Sequence, residues 1–171
     1  MPASLMNQTI YIDKFGSIDK INAASLYKPG ELGSREFDVA GRGWQLVVTD
    51  SGPTSIAAGD LAFWVSKSAY KVTNKLADAP EGRNAVAGIF TVTVTPGYYT
   101  CIQRLGASIV TVNSAGSPAI GDIAIANSGT NKDSTPIAAG TAPTYLPLGV
   151  YSSTATSSKA SIDLNAGEVV T

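Results

Sequence analysis

The chain has 171 residues, of which 44% are hydrophobic and 15% charged. That is enough apolar surface for one core or two small ones, and too little charge for a disordered segment. A net charge of -1 gives no global drive toward nucleic acid or an anionic membrane, and the absence of histidine removes the commonest general base and metal ligand.

Residues 1–41 differ from the rest. Ile10, Tyr11, Ile12 and Phe15 are apolar, and only the Ile10-Tyr11-Ile12 run reads as a strand. The apolar density is too low for an independent core, so this stretch is expected to be an arm and lead-in that packs on a neighbour or on its own body. No basic region followed by an apolar run marks a secretory signal. After Tyr27, Lys28-Pro29-Gly30-Glu31 reads as a turn, because proline presets φ and glycine accepts positive φ.

Residues 42–171 read as a β domain. Gly43–Thr49 is a strand closed by Asp50-Ser51-Gly52-Pro53, and Asp60–Val65 is another. Ala69–Thr73 alternates, with Tyr70 and Val72 on one face. Ile89–Thr95 and Tyr98–Gln103 make a hairpin across Pro96-Gly97. Ser108–Val112, Ile123–Ala126, Gly149–Tyr151 and Ala160–Leu164 complete the series. The uncharged residues 134–158 carry prolines 136, 143 and 147, which exclude a helix and predict a long loop or extended edge segment. The fold class is all-β: a small β-barrel or β-sandwich of short antiparallel strands with an extended N-terminal arm.

A faint internal repeat runs through this domain. Ala58-Gly59-Asp60-Leu61-Ala62 echoes Ile120-Gly121-Asp122-Ile123-Ala124, and Ala87-Gly88-Ile89-Phe90 echoes Leu148-Gly149-Val150-Tyr151. Two related units, about 42–106 and 107–171, would explain it; so would the frequency of Gly-Asp turns in β proteins.

Candidate chemistry is sparse. The aspartates stand singly, mostly in turns, where the carboxylate bonds its own backbone. Asp60 and Asp122 recur, and two equivalent turns explain them better than a paired acid site of the glycosidase type. Cys101 has only Arg104 as a nearby cation and sits in an apolar run, which predicts an inert thiol. Lys67, Lys71 and Lys75 fit a solvated sheet edge. Gly41-Arg42-Gly43 lacks the lysine and further glycines of a phosphate loop. Trp44 and Trp64 are core residues or interface anchors. The chain is expected not to be an enzyme, with no catalytic residues, metal or cofactor, and no nucleic-acid or membrane partner. The residues with interface potential are Ile10, Tyr11, Ile12, Phe15, Tyr27, Trp44 and Trp64.

The runs GRGWQLVVTDSG, AAGDLAFWVSKSAYKVTN, NAVAGIFTVTVTPGYYTCIQRLG, AIGDIAIA and LPLGVYSS, in that order, resemble capsid decoration (cement) proteins of tailed bacteriophages. The resemblance extends from about Tyr27 to Leu164. It implies a β-rich, often trimeric structural protein on the outer capsid surface, made in the host cytoplasm. Its partners would be the major capsid protein and further copies of itself. Another virion part (head fibre base, tail or minor capsid component) and a carbohydrate-binding β-sandwich are the alternatives.

Overall fold

The computed structural model describes residues 32–166, apart from residues 39, 54, 115 and 129–131. Ile10, Tyr11, Ile12, Phe15 and Tyr27 lie outside the described residues. Within them the protein is all-β and carries a small barrel with additional strands. Ten strands form one sheet: β1 (Arg35–Phe37), β2 (Gly43–Thr49), β3 (Leu61–Ser66), β4 (Lys71–Thr73), β5 (Val86–Phe90), β6 (Tyr99–Thr111), β7 (Ile123–Ala126), β8 (Ser134–Ile137), β9 (Gly149–Tyr151) and β10 (Lys159–Asn165). Two single-turn 3-10 segments, Leu76–Asp78 and Gly82–Asn84, join β4 to β5.

The sheet order is β1-β2-β4-β3-β5-β6-β10-β9-β7-β8, and β2 also pairs with β6. That extra pairing closes β2, β4, β3, β5 and β6 into a barrel, which leaves those strands without open edges. The β2–β4 pair is parallel, through Val48↔Lys71 and Thr49↔Val72, where antiparallel strands alone were expected. A closed ring of five strands cannot alternate direction throughout; the other four pairs are antiparallel, so the β2–β4 pair has to be parallel.

The second half repeats this order. The C-terminal part of β6 pairs with β10, β10 with β9, β9 with β7, and β7 with β8, all antiparallel. A parallel bridge, Val112↔Ser134, returns the end of β8's neighbourhood to β6. Strand by strand this matches the first circuit, with β6 serving as the last strand of one and the first of the other.

Several elements depart from the sequence expectations. The strand expected over Ile89–Thr95 stops at Phe90, because Val94 leaves β5's line to bridge Ile56. The expected Tyr98–Gln103 and Ser108–Val112 strands are one continuous β6; Gly106, at φ +86°, lets the chain pass between the circuits without a loop. Tyr70 is not in a strand. It closes a turn at φ +49°, its N–H donating to the Lys67 carbonyl. The uncharged stretch is a loop only in its middle, since Ser134–Ile137 and Gly149–Tyr151 are strands.

One apolar cluster spans both circuits, including Val47, Phe63, Phe90, Ile102, Val110, Leu148 and Ile162. A smaller one holds Trp44, Leu46 and Cys101, with Leu32 packed against it. Burial of these side chains drives the fold, at about 1.5–3 kcal/mol for each large aliphatic or aromatic group removed from water.

Candidate interaction surface

The reactive-looking side chains are committed to the framework. In each half a glycine at positive φ, Gly59 at +94° and Gly121 at +93°, precedes the aspartate. The Asp60 carboxylate accepts the Ala57 N–H at 2.9 Å, and the Asp122 carboxylate accepts the Ala119 N–H at 2.9 Å. The Asp60 carbonyl then accepts the Phe90 N–H at 3.0 Å, and the Asp122 carbonyl the Tyr151 N–H at 2.9 Å. Both aspartates thus tie a turn to the strand beside it. Asp60 is buried and also accepts Asn74 Nδ2 at 2.8 Å, with Lys132 Nζ at 4.0 Å.

Burial pushes the Cys101 thiol up to about 12, so it holds its proton at neutral pH. The three lysines expected on a solvated edge each meet a carboxylate: Lys67 with Glu81, Lys71 with Asp50 and Lys75 with Asp78. Lys71 donates to Asp50 and holds its carboxyl below the usual range, against the opposing effect of burial. Asp38 is raised by burial, but hydrogen bonds from Arg42 and the Trp44 indole outweigh this and leave it lowered.

Trp44 is 3% exposed and Trp64 8% exposed, so in the single chain both are core side chains. The Trp44 indole Nε1 donates to Asp38 Oδ2 at 3.3 Å, and the Arg42 guanidinium lies over its ring. Trp64 reaches the wall of a cleft of about 740 Å³, together with Arg35, Tyr70, Asn84, Arg104 and Tyr145. Arg83 stacks on Tyr145 at 3.9 Å and donates to the Ala126 carbonyl, which holds in place the uncharged loop whose residues 143–147 line this cleft. No group of three or more potential metal ligands occurs among the described residues.

The surface signal is apolar. Phe37, Tyr98, Ile109, Ile120, Leu146 and Val150 are exposed large apolar side chains. Phe37, Ile109, Ile120 and Val150 do not stand out in the sequence, because an alternating pattern does not distinguish an outward apolar side chain from an inward one until the register is known.

The fold and surface define an all-β barrel protein whose polar residues serve its own turns. No protein-family model matches the chain, and no curated protein matches it. Among solved structures it is similar to the N base of the head fiber gp8.5 of bacteriophage phi29. That similarity has a TM-score of 0.46 and 13% sequence identity, over 75% of this chain and 98% of the other.

Proposed function

We propose that this chain is a non-enzymatic structural protein of a tailed-phage virion, bound to the outer surface of the head. The supporting observation is how its residues are used. The runs that resemble decoration proteins, Gly43–Thr49, the two Gly-Asp turns and the strands β5 and β9 with their Gly88 and Gly149, build the sheet itself. The groups with chemical potential, Asp60 and Cys101, are buried within that framework. A chain of this kind acts through contact area, and contacts repeated over a lattice add through multivalency.

In the finer form of this reading the chain is a cement protein that grips the major capsid protein and stabilises the shell as a homotrimer. Ile10, Tyr11, Ile12 and Phe15 are the proposed anchor. A head fibre base shares the location and differs in carrying a fibre. Tail or minor capsid components share the architecture but not the location.

Co-sedimentation of the purified chain with capsids, followed by cryo-EM of the pellet, tests the reading. Saturable density at symmetry-related outer positions is the expected result. A rise in the capsid's melting temperature on binding identifies the cement form, and attached fibre density identifies the base form. Absence of binding to mature capsids contradicts the proposal. Deleting residues 1–24 should abolish capsid binding while leaving the sheet folded.

A further inference from the structure

The two circuits bury equivalent faces unequally. In the first, Leu61 pairs with Ile89, Ile89 with Gln103 and Gln103 with Trp44, and all are buried. Directly paired residues share a face of the sheet, so these form a row. The matching row in the second circuit is Ile123, Val150, Asp163 and Ala107, extended by Ile137 on β8. There Val150 is 43% exposed, Asp163 and Ala107 are exposed, and Ile123 and Ile137 are partly exposed. Ile120, on the adjoining Gly-Asp turn, is 73% exposed.

What meets the first row's corner is the second half of the same chain. The Leu61 N–H donates to the Lys132 carbonyl at 2.9 Å, the Thr111 N–H to the Gly59 carbonyl at 2.8 Å, and Lys159 Nζ to the Ala58 carbonyl at 3.1 Å. Leu61 and Ile89 share one apolar cluster with Val110, Val112 and Ala160. The same corner of the second circuit therefore stands at the open end of a tandem pair. In stacked repeats, an apolar face buried between inner units is left open at the last one unless a polar cap replaces it. Here Ile120, Ile123, Ile137 and Val150 keep it largely aliphatic, with Asp163 the one charged member of the row.

We infer that this row, centred on Val150 with Ile120 and Ile123, is the docking surface for a second copy of the chain. The first circuit's corner is covered by the second circuit of the same chain, so the open corner of the second circuit is to be covered by the first circuit of another copy; the contact is head-to-tail and closes into a ring when the rotation permits. The inference deepens the self-association in the proposed function and does not require the virion role.

Sedimentation equilibrium of the intact chain over a concentration series tests it. The parent chain should form a defined oligomer. Val150→Lys and Ile120→Lys should each raise the dissociation constant at least about tenfold, as expected for a charge placed at the centre of an apolar contact. Ile120 lies on a turn, so its variant keeps the test valid if Val150→Lys does not fold. A Val150→Cys chain labelled with a thiol-reactive benzophenone should photo-crosslink to a second copy. A parent chain that stays monomeric, lysine variants that associate like the parent, or crosslinks only to residues 1–31 of the same chain would each overturn the inference. A monomer that still decorates capsids would overturn this surface and retain the virion reading; an oligomer that ignores capsids would do the reverse.

Discussion

The hydroxyl of Tyr151 on β9 lies 2.6 Å from Ser134 Oγ at the start of β8. Ser134 donates its own proton to the Thr111 carbonyl at 3.0 Å, so Tyr151 is the donor to Ser134. This short chain of bonds ties β9, β8 and β6 together beside the Val112↔Ser134 bridge. Tyr151→Phe keeps the ring and removes the donor. It should cost about 0.5–1.5 kcal/mol in urea unfolding, the usual net worth of one such bond.

Alkaline stability follows from Tyr151 and Cys101 together. Burial raises the Tyr151 phenol from 10.0 to about 12 and the Cys101 thiol from 9.0 to about 12. Below the unfolded values both states hold these protons and the native advantage is intact. As pH rises through that interval the unfolded chain ionises first, so stability falls from about pH 9 and is lost toward 12. Thermal unfolding measured against pH should show this decline, and Cys101→Ala should remove its lower part. Ellman's reagent at pH 8 should leave the folded chain unmodified and label it stoichiometrically in denaturant.

The buried Asp60 turn and the more exposed Asp122 turn should respond differently. Asn74 Nδ2 bridges Asp60 and the Ser55 carbonyl, at 2.8 and 2.9 Å. Asn74→Ala leaves both acceptors short of a donor inside the protein, which costs about 1–3 kcal/mol. Asp122→Ala opens a turn that water can reach, and should cost about 0.5–1 kcal/mol. Chemical denaturation of both variants checks the order.

Gly88 and Gly149 occupy equivalent places on β5 and β9. A Cβ at Gly88 would run into the Gln103 carbonyl oxygen, and one at Gly149 into the Asp163 carbonyl oxygen. Backbone cannot swing aside as a flexible side chain can, so Gly88→Ala and Gly149→Ala should each destabilise by about 3 kcal/mol or more. Gly121→Ala meets no atom within 4 Å and has only its φ of +93° to strain, which should cost about 1–2 kcal/mol.

Local signals in the sequence were sufficient for some elements and silent on others. Gly43–Thr49, Ile123–Ala126 and Gly149–Tyr151 were legible at their observed bounds, because each is a short β-branched or apolar run between turn residues. β1 and β8 were not, since three or four residues that include charges or a proline carry little period-two signal. The end of β5 at Phe90 depends on a bridge from Val94 to Ile56, a non-local contact that no window over 89–95 contains. The parallel β2–β4 pair and the closure of β2 on β6 are non-local in the same way. Of the surface, the tryptophans attracted notice by residue type and proved buried, while Val150 and Ile120 became visible only through register.

Cryo-EM of phage particles made with and without this gene shows whether the chain is part of the head. Density for a small β-barrel protein is expected at regular positions on the outer head surface of complete particles, lost when the gene is removed. Identical heads in the two preparations, with the chain absent from purified particles, would contradict the proposed virion role.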